Sequence, residues 1–394
     1  MFTKAAFPAW KIAPAILMAL FAWTQPCLAQ IHVPGDYPTI QQAVDAAASG
    51  MTITVAAGQY EEQILIEGKN LTLRGDAGAT VLSPAALAAV SLGGPMAAPR
   101  SPVLAATNCE LDIDGLAFDG LRRGGTITRF TGVLYVSSSG TVSNCSFTGF
   151  RPEAMGPLPF NPDPERAVQV SNVSGLVQIA VRGCSFSDNV DSIFASGPIG
   201  VDPNAHRLDC DIASNVIVGL GPQPFQAQVG IWLNAGARGF IRGNHVSGHT
   251  YLGSNNFSIA ILTGRLGLAP GFVMQPVHVF DNTTVNNNVG VLSLFAHRNL
   301  ILHNSVTGGP FGFSGIAVSG NRNWIIQNWI DMDGSLVPGN NGVLLLGAEF
   351  NALFGSGFAT HTAVLANTIA GASFPIWSQT GVSGTLAVGN NILP

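Results

Sequence analysis

Val142-Ser143-Asn144-Cys145-Ser146-Phe147 is a short apolar strand, a polar turn and the start of a second strand. The phrase returns along the chain. It is Val181-Arg182-Gly183-Cys184-Ser185-Phe186, then Ile241-Arg242-Gly243-Asn244-His245-Val246, then Ile301-Leu302-His303-Asn304-Ser305-Val306, with further copies ending near Asn390. The turn positions are Gly75, Gly115, Cys145, Cys184, Cys210, Asn244, Asn282, Asn304, Asn328, Asn367 and Asn390, spaced 22 to 40 residues apart. A fixed minimum with a variable excess is the signature of a solenoid whose strands are constant and whose loops vary.

A second strand family lies between these turns: 133–137, 168–172, 192–196, 230–233, 258–262, 290–294, 315–319, 342–346 and 375–379. Each coil thus reads strand, loop, strand, tight turn, third short strand, which winds into a parallel β-helix of about 11 coils. Coils stacked at about 4.8 Å give a rod about 48 Å long over ten steps. Asparagine at the turn tolerates left-handed backbone and offers an amide to its stacked equivalent. Pro38 to Gly50 reads as an α-helical cap over the N-terminal edge, with Ile40, Val44 and Ala47 on one face. The domain expected is a single β-helix over 30–394, with 30–60 as its cap.

Residues 1–29 carry Lys4 and Lys11, an apolar run from Ile12 to Trp23, and Cys27-Leu28-Ala29 before Gln30. A basic start, apolar middle and small residues at −3 and −1 predict a signal peptide cleaved near Ala29-Gln30 and a secreted or periplasmic chain. The run falls short of the ~20 residues that span a bilayer, so no membrane insertion is expected. Charged residues make up 10% of the chain, against the usual ~25%. Past residue 29 only one lysine remains, Lys69, and acids outnumber bases 22 to 15. Such a surface argues against nucleic acid and anionic membranes as partners.

The stretch Tyr37-Pro38-Thr39-Ile40-Gln41-Gln42-Ala43-Val44-Asp45-Ala46-Ala47 resembles the first coil of pectinesterases. So does Ile53-Thr54-Val55-Ala56-Ala57-Gly58-Gln59-Tyr60-Glu61-Glu62, followed by Lys69-Asn70-Leu71-Thr72-Leu73-Arg74-Gly75. The wider group is the pectin-lyase-like superfamily. The resemblance implies an all-β, single-stranded right-handed parallel β-helix that binds or processes an extracellular polysaccharide or oligosaccharide.

Within that resemblance, Cys184 to Phe194 is similar to the pectinesterase segment bearing the acid aspartate, and Asp191 matches it. Val190 stands where that family has a glutamine. The nucleophilic aspartate has no counterpart: alignment by turn gives Asn215, and alignment by strand gives Val229 or Gly230. Neither an amide nor an alkyl group attacks an ester as a carboxylate does. Standard pectinesterase chemistry is therefore not expected.

Other chemistry must come from charges at the strand mouths, because the nine strands as bounded above contain no charged residue. Asp191, Arg166 and His206 are the catalytic candidates: a base at Asp191 or His206, and an arginine at 166 or 265 to neutralise a uronate. The outward parity of these strands exposes Gln169, Phe194, Trp232 and Asn234, whose rings and amides suit a sugar, with Arg265 as a further binding candidate. The insertions 149–166, 197–206, 213–228, 264–276 and 347–361 are positioned to wall a groove. The remaining outward residues form an apolar stripe, which reads as a surface covered by the long loops or by a second subunit in a homo-oligomer. The alternative function is a non-catalytic structural or carbohydrate-binding surface β-helix.

No cofactor is implied and no metal site is expected; His245 and His249 lie four apart on a strand rather than a helix. Cys145, Cys184 and Cys210 read as one stacked turn position, open either to a disulfide or to a buried thiol stack, with Cys109 elsewhere.

Overall fold

The computed structural model describes residues 30–93, 98–155, 163–198, 205–234, 236–253, 257–264, 275–347 and 358–394. The proposed signal segment lies outside these residues. Three parallel sheets run the length of the molecule. The first has 13 strands, from Gln30–Val33 to Leu386–Val388; the second has 12, from Gly58–Glu61 to Asn391–Ile392; the third has 11, from Ile64–Glu67 to Phe374–Ser378. Each coil visits the sheets in that order, so every strand pairs with the strand one coil away. Twelve steps in the first sheet correspond to a rod of about 58 Å.

Alternation within each strand decides which side chains fill the rod. In the third sheet Val133, Val168, Ile193, Ile231, Ile261, Val291, Ile316 and Val343 lie in one register row and are fully buried in the main core. Phe118, Phe147 and Phe186 form a parallel stack inside the second sheet, with centroids 5.1 and 4.9 Å apart. The coil repeat places equal residues at stacking distance.

The tight turn between the first and second sheets divides its two tasks between two residues. The left-handed residue is the one before the ladder: Asn144, Gly183, Ser214, Gly243, Asp281, His303, Gln327, Ala366 and Gly389 all have φ between 51° and 66°. The ladder residue that follows turns inward. In the row Asn215, Asn244, Asn282, Asn304, Asn328, Asn367 and Asn390, each side-chain amide but the last donates a hydrogen bond of 2.9–3.0 Å to the Oδ1 of the next. The asparagine is thus the stacking group and not, as its conformational tolerance predicts, the left-handed one.

This register also reassigns one cysteine. Cys145 and Cys184 hold the ladder position, and Cys184 N–H donates to Asn215 Oδ1 at 2.9 Å. Cys210 does not: it sits inside the strand Arg207–Ala213, in register with Ile179 and Gly239. The sequence copy around it lacks the turn because Ser214-Asn215 supply it five residues later. All four cysteines from Cys109 onward are free thiols.

The cap is a helix at Ile40–Ala46, shorter than the 38–50 stretch expected. Thr39 caps it by accepting from Gln42 N–H, so Pro38 lies before the cap. The Glu62 carboxylate takes the next two orphan donors, Ile40 N and Gln41 N, both at 2.8 Å. Ile40, Val44 and Ala47 are buried as expected. Among the described residues no helix is long and apolar enough to cross a membrane.

Two further expectations change. The insertion at 213–228 contains the strand Val216–Gln223, which pairs with His245–Tyr251 around a bulge between Val218 and Gly221. And the third-sheet strands begin earlier than read from sequence, at Arg166 and at Asp191, which brings two charged residues onto that sheet.

Candidate functional site

Arg166 and Asp191 head neighbouring strands and are paired in register, with Thr131 on the other side of Arg166. Val168, Val170, Ile193 and Ala195 fill the core, so Gln169 and Phe194 between them face outward. The Arg166 guanidinium folds over this outer face. Its carbon lies 3.7 Å from the centroid of the Phe194 ring, and its Nη1 donates to Gln169 Oε1 at 2.9 Å. Gln169 in turn donates to Ser171 Oγ at 3.1 Å.

A second tier of charge holds the arginine. Asp163 Oδ1 lies 3.1 Å from Arg166 Nη1 and 2.6 Å from Arg100 Nη1, while Asp163 Oδ2 receives Arg129 Nε at 3.0 Å. Arg100 is wholly buried; it also donates to Thr131 Oγ1 and to the Pro164 and Phe130 carbonyls. Burial pushes its pKa down to about 9, against the pull of Asp163 and Glu165. Burial likewise raises the Glu165 carboxyl and lowers Arg166. Three arginines therefore gather with three carboxylates, Arg129 and Asp163 at a partly open rim and the other four buried, and the pairing keeps the buried charges tolerable.

Asp191 is the most perturbed acid of the group. Its Oδ1 accepts from Val229 N–H at 3.0 Å. Its Oδ2 faces Arg166 Nε at 3.8 Å, and neither atom has a hydrogen-bond partner among the described residues. Loss of solvent raises its pKa to about 7, with Arg166 opposing the rise. Asp191 is also in register with Val229, so the place of a nucleophilic carboxylate on the next strand is an alkyl side chain.

The structure brings Asp191, Arg166, Gln169 and Phe194 together and keeps His206 apart. His206 Nδ1 accepts from Gly175 N–H at 2.9 Å, beyond the far end of these strands. Asp191 heads a six-residue strand, so the separation is one strand length, roughly 16 Å. Trp232 meets Phe194 edge to face at 5.1 Å and donates from Nε1 to the Gly264 carbonyl. Asn234 is half-buried just past that strand, its N–H on the Ala195 carbonyl. Arg265 lies outside the described residues.

Outward parity is as read from sequence, but outward does not mean exposed. Gln169 is 1% and Phe194 6% exposed, because the arginine occupies the amide and the ring that were expected to meet a sugar. Farther along, Leu262, Leu292, Leu294, Leu344 and Leu346 form a second buried cluster with Phe257, Phe295 and Phe313 packed in or against it. The apolar face expected to serve as a homo-oligomer contact is therefore already buried within one chain over these coils. Among the described residues of this face, only the last strand, with Phe374 and Trp377, presents exposed rings.

Arg100, Arg129, Thr131 and Asp163 were not singled out from sequence. The run Asp163-Pro164-Glu165-Arg166, dense in charge for so uncharged a chain, was the available signal; Arg100 and Arg129 carried none. Among the described residues no group of three or more His, Cys, Asp or Glu side chains forms a metal site.

Three parallel sheets, a two-residue turn ladder and a helical cap define a right-handed parallel β-helix. No family model matches the chain, and no curated protein sequence matches it. Solved structures do. A GH136 lacto-N-biosidase from Eubacterium ramulus superposes with TM-score 0.53 and 10% identity, over 89% of this chain and 64% of that one. PfbA, a surface adhesin of Streptococcus pneumoniae, gives 0.52 and 11%, over 91% of each. DFA-IIIase from Arthrobacter chlorophenolicus A6 gives 0.50 and 14%, over 92% and 88%. At these identities the likeness is one of fold.

Proposed function

We propose that this chain binds and processes an extracellular polysaccharide, with Asp191 as the proton-transfer group and Arg166 as its charge partner. The observation that carries the reading is the Asp191 carboxyl: buried, held near pH 7, and with Oδ2 unpartnered opposite a guanidinium. A carboxyl poised near neutrality serves as either acid or base. The guanidinium beside it suits an anion that develops on the substrate or a uronate already there. With Val229 where a second carboxylate would stand, acid–base cleavage or elimination fits better than covalent ester hydrolysis. Residues 1–29 direct export in this reading.

The test is a panel of pectin, polygalacturonate, alginate and neutral glycans. Methanol release, unsaturated-product absorbance and new reducing ends are followed for the parent chain and for Asp191→Asn. Product formation that drops at least 100-fold in Asp191→Asn supports the assignment. Activity that survives the substitution refutes it. The second reading, a non-catalytic binding β-helix, is favoured by the closed outer face of the third sheet. It predicts silence throughout the panel with retained glycan binding. The named neighbours include both a glycosidase and an adhesin, so the fold leaves this choice to the site.

A further inference from the structure

The outer face of the first sheet, a different side of the rod from Asp191, holds an open trough of about 820 Å³. Its floor is low because the outward side chains at Thr141 and Ala180 are small and the neighbouring Gly140 and Gly239 have none. One outward register row crosses it from coil to coil as Thr141, Ala180, Asp211, Phe240 and His278. Phe240 is 46% exposed. Its ring is held from two sides, by His278 at 5.6 Å and by the edge of Phe280 at 6.1 Å. A large aromatic fixed in place yet left open to solvent is a stacking platform in search of a flat apolar partner.

The charges beside the ring are already neutralised. Asp211 receives Arg182 at 2.5 Å and Arg242 at 2.9 Å; Asp209 receives Arg207 at 2.7 Å and Arg238 at 2.5 Å. Of these four guanidiniums Arg182 and Arg238 line the trough, with Asp209, Asp211 and, at its end, Glu110 and Asp112. The paired arginines and the acidic end therefore leave no bare positive charge for an anionic glycan, while each guanidinium keeps N–H donors beyond those in its ion pair. Bidentate acids and guanidiniums next to a ring are suited to vicinal hydroxyls on a carbohydrate. The coil repeat of about 4.8 Å is close to the length of one pyranose in an extended chain.

We infer that this trough binds an uncharged oligosaccharide lying along the rod axis, with one sugar ring on Phe240 and hydroxyls on the Asp209 and Asp211 ion-pair clusters. The inference is independent of the Asp191 reading, since the two sites lie on different sheets.

The test uses the exported chain on an array of neutral glycans spanning α- and β-linked hexoses and pentoses. Affinity gels containing hydroxyethylcellulose, galactomannan, xyloglucan or polygalacturonate follow. The expected result is binding to at least one neutral glycan, little changed between 50 and 500 mM salt. It should weaken at least 10-fold in Phe240→Ala, be kept in Phe240→Trp, and be unaffected in Asp191→Asn. Circular dichroism checks that each variant is folded. No neutral glycan bound, binding only to polygalacturonate, or equal binding by folded Phe240→Ala would each overturn the inference. Loss of turnover in Asp191→Asn with trough binding intact separates the two proposals.

Discussion

Arg166 and Asp191 stand in register on neighbouring strands with Nε and Oδ2 3.8 Å apart, and neither atom makes a hydrogen bond among the described residues. The pair is close enough to feel its charges and too far apart to spend them on a hydrogen bond. That is an expensive arrangement for two groups almost closed to water.

Its first consequence is a pH dependence of stability. The folded Asp191 carboxyl titrates near 7 and the unfolded one near its ordinary 3.8, so between those values the folded chain holds a proton that the unfolded chain has lost. Stability from this group therefore falls as pH rises through that window, by about 4 kcal/mol in total. Asp191→Asn keeps an acceptor for Val229 N–H and removes the titration. Urea unfolding at pH 4.5 and pH 8 should show the variant gaining on the parent at the higher pH. Glu165 shifts in the same direction, so the parent-minus-variant difference, and not the total slope, isolates Asp191.

His249 gives the opposite slope. Burial lowers its folded pKa to about 4, with nearby Asn287 opposing, against 6.5 when unfolded. Below pH 6.5 the unfolded chain takes up a proton that the folded chain refuses, so stability is lost as pH falls from 6.5 to 4. His249→Leu is expected to flatten the acid limb by about 3 kcal/mol, measured as unfolding free energy between pH 4 and 7. An unchanged limb would mean that the imidazole is not buried neutral.

The ladder carries a prediction of stability alone. Asn304 donates to Val279 O, Leu302 O and Asn328 Oδ1, and its Oδ1 accepts both the N–H and the amide of Asn282. Asn304→Ala strands the buried Asn282 N–H and takes the side-chain donor from the Val279 and Leu302 carbonyls, while Asn328 Oδ1 keeps the Asn304 N–H. The expected loss is about 3 kcal/mol, read as a lower urea midpoint. A loss below ~0.5 kcal/mol would show that the ladder is replaceable.

Gly239 is fixed by geometry. Its φ is +125°, and a methyl there would collide with the Cys210 carbonyl oxygen on the neighbouring strand. Gly239→Ala should destabilise by more than about 3 kcal/mol and lower soluble yield, because the obstacle is backbone that cannot swing aside.

The amino-acid sequence by itself determined the coil. A period of two within each strand and a recurring turn are local signals, and both act over a few residues. They placed nine of the eleven third-sheet strands, missing Ile64–Glu67 and Ser101–Thr107, and they placed the inward row through Ile193 and Ile231 and the outward parity of Gln169, Phe194 and Trp232. They misplaced Cys210, because the strand runs on to Ala213 and its turn, Ser214-Asn215, comes up to five residues past the apparent motif. Tertiary structure alone decided which charges meet. Arg100, Asp163 and Asp191 lie far apart in sequence and join only because lateral register aligns coils whose loops differ in length. It also decided that the outward leucines are buried, since a strand's alternation specifies which way a side chain points and not what covers it.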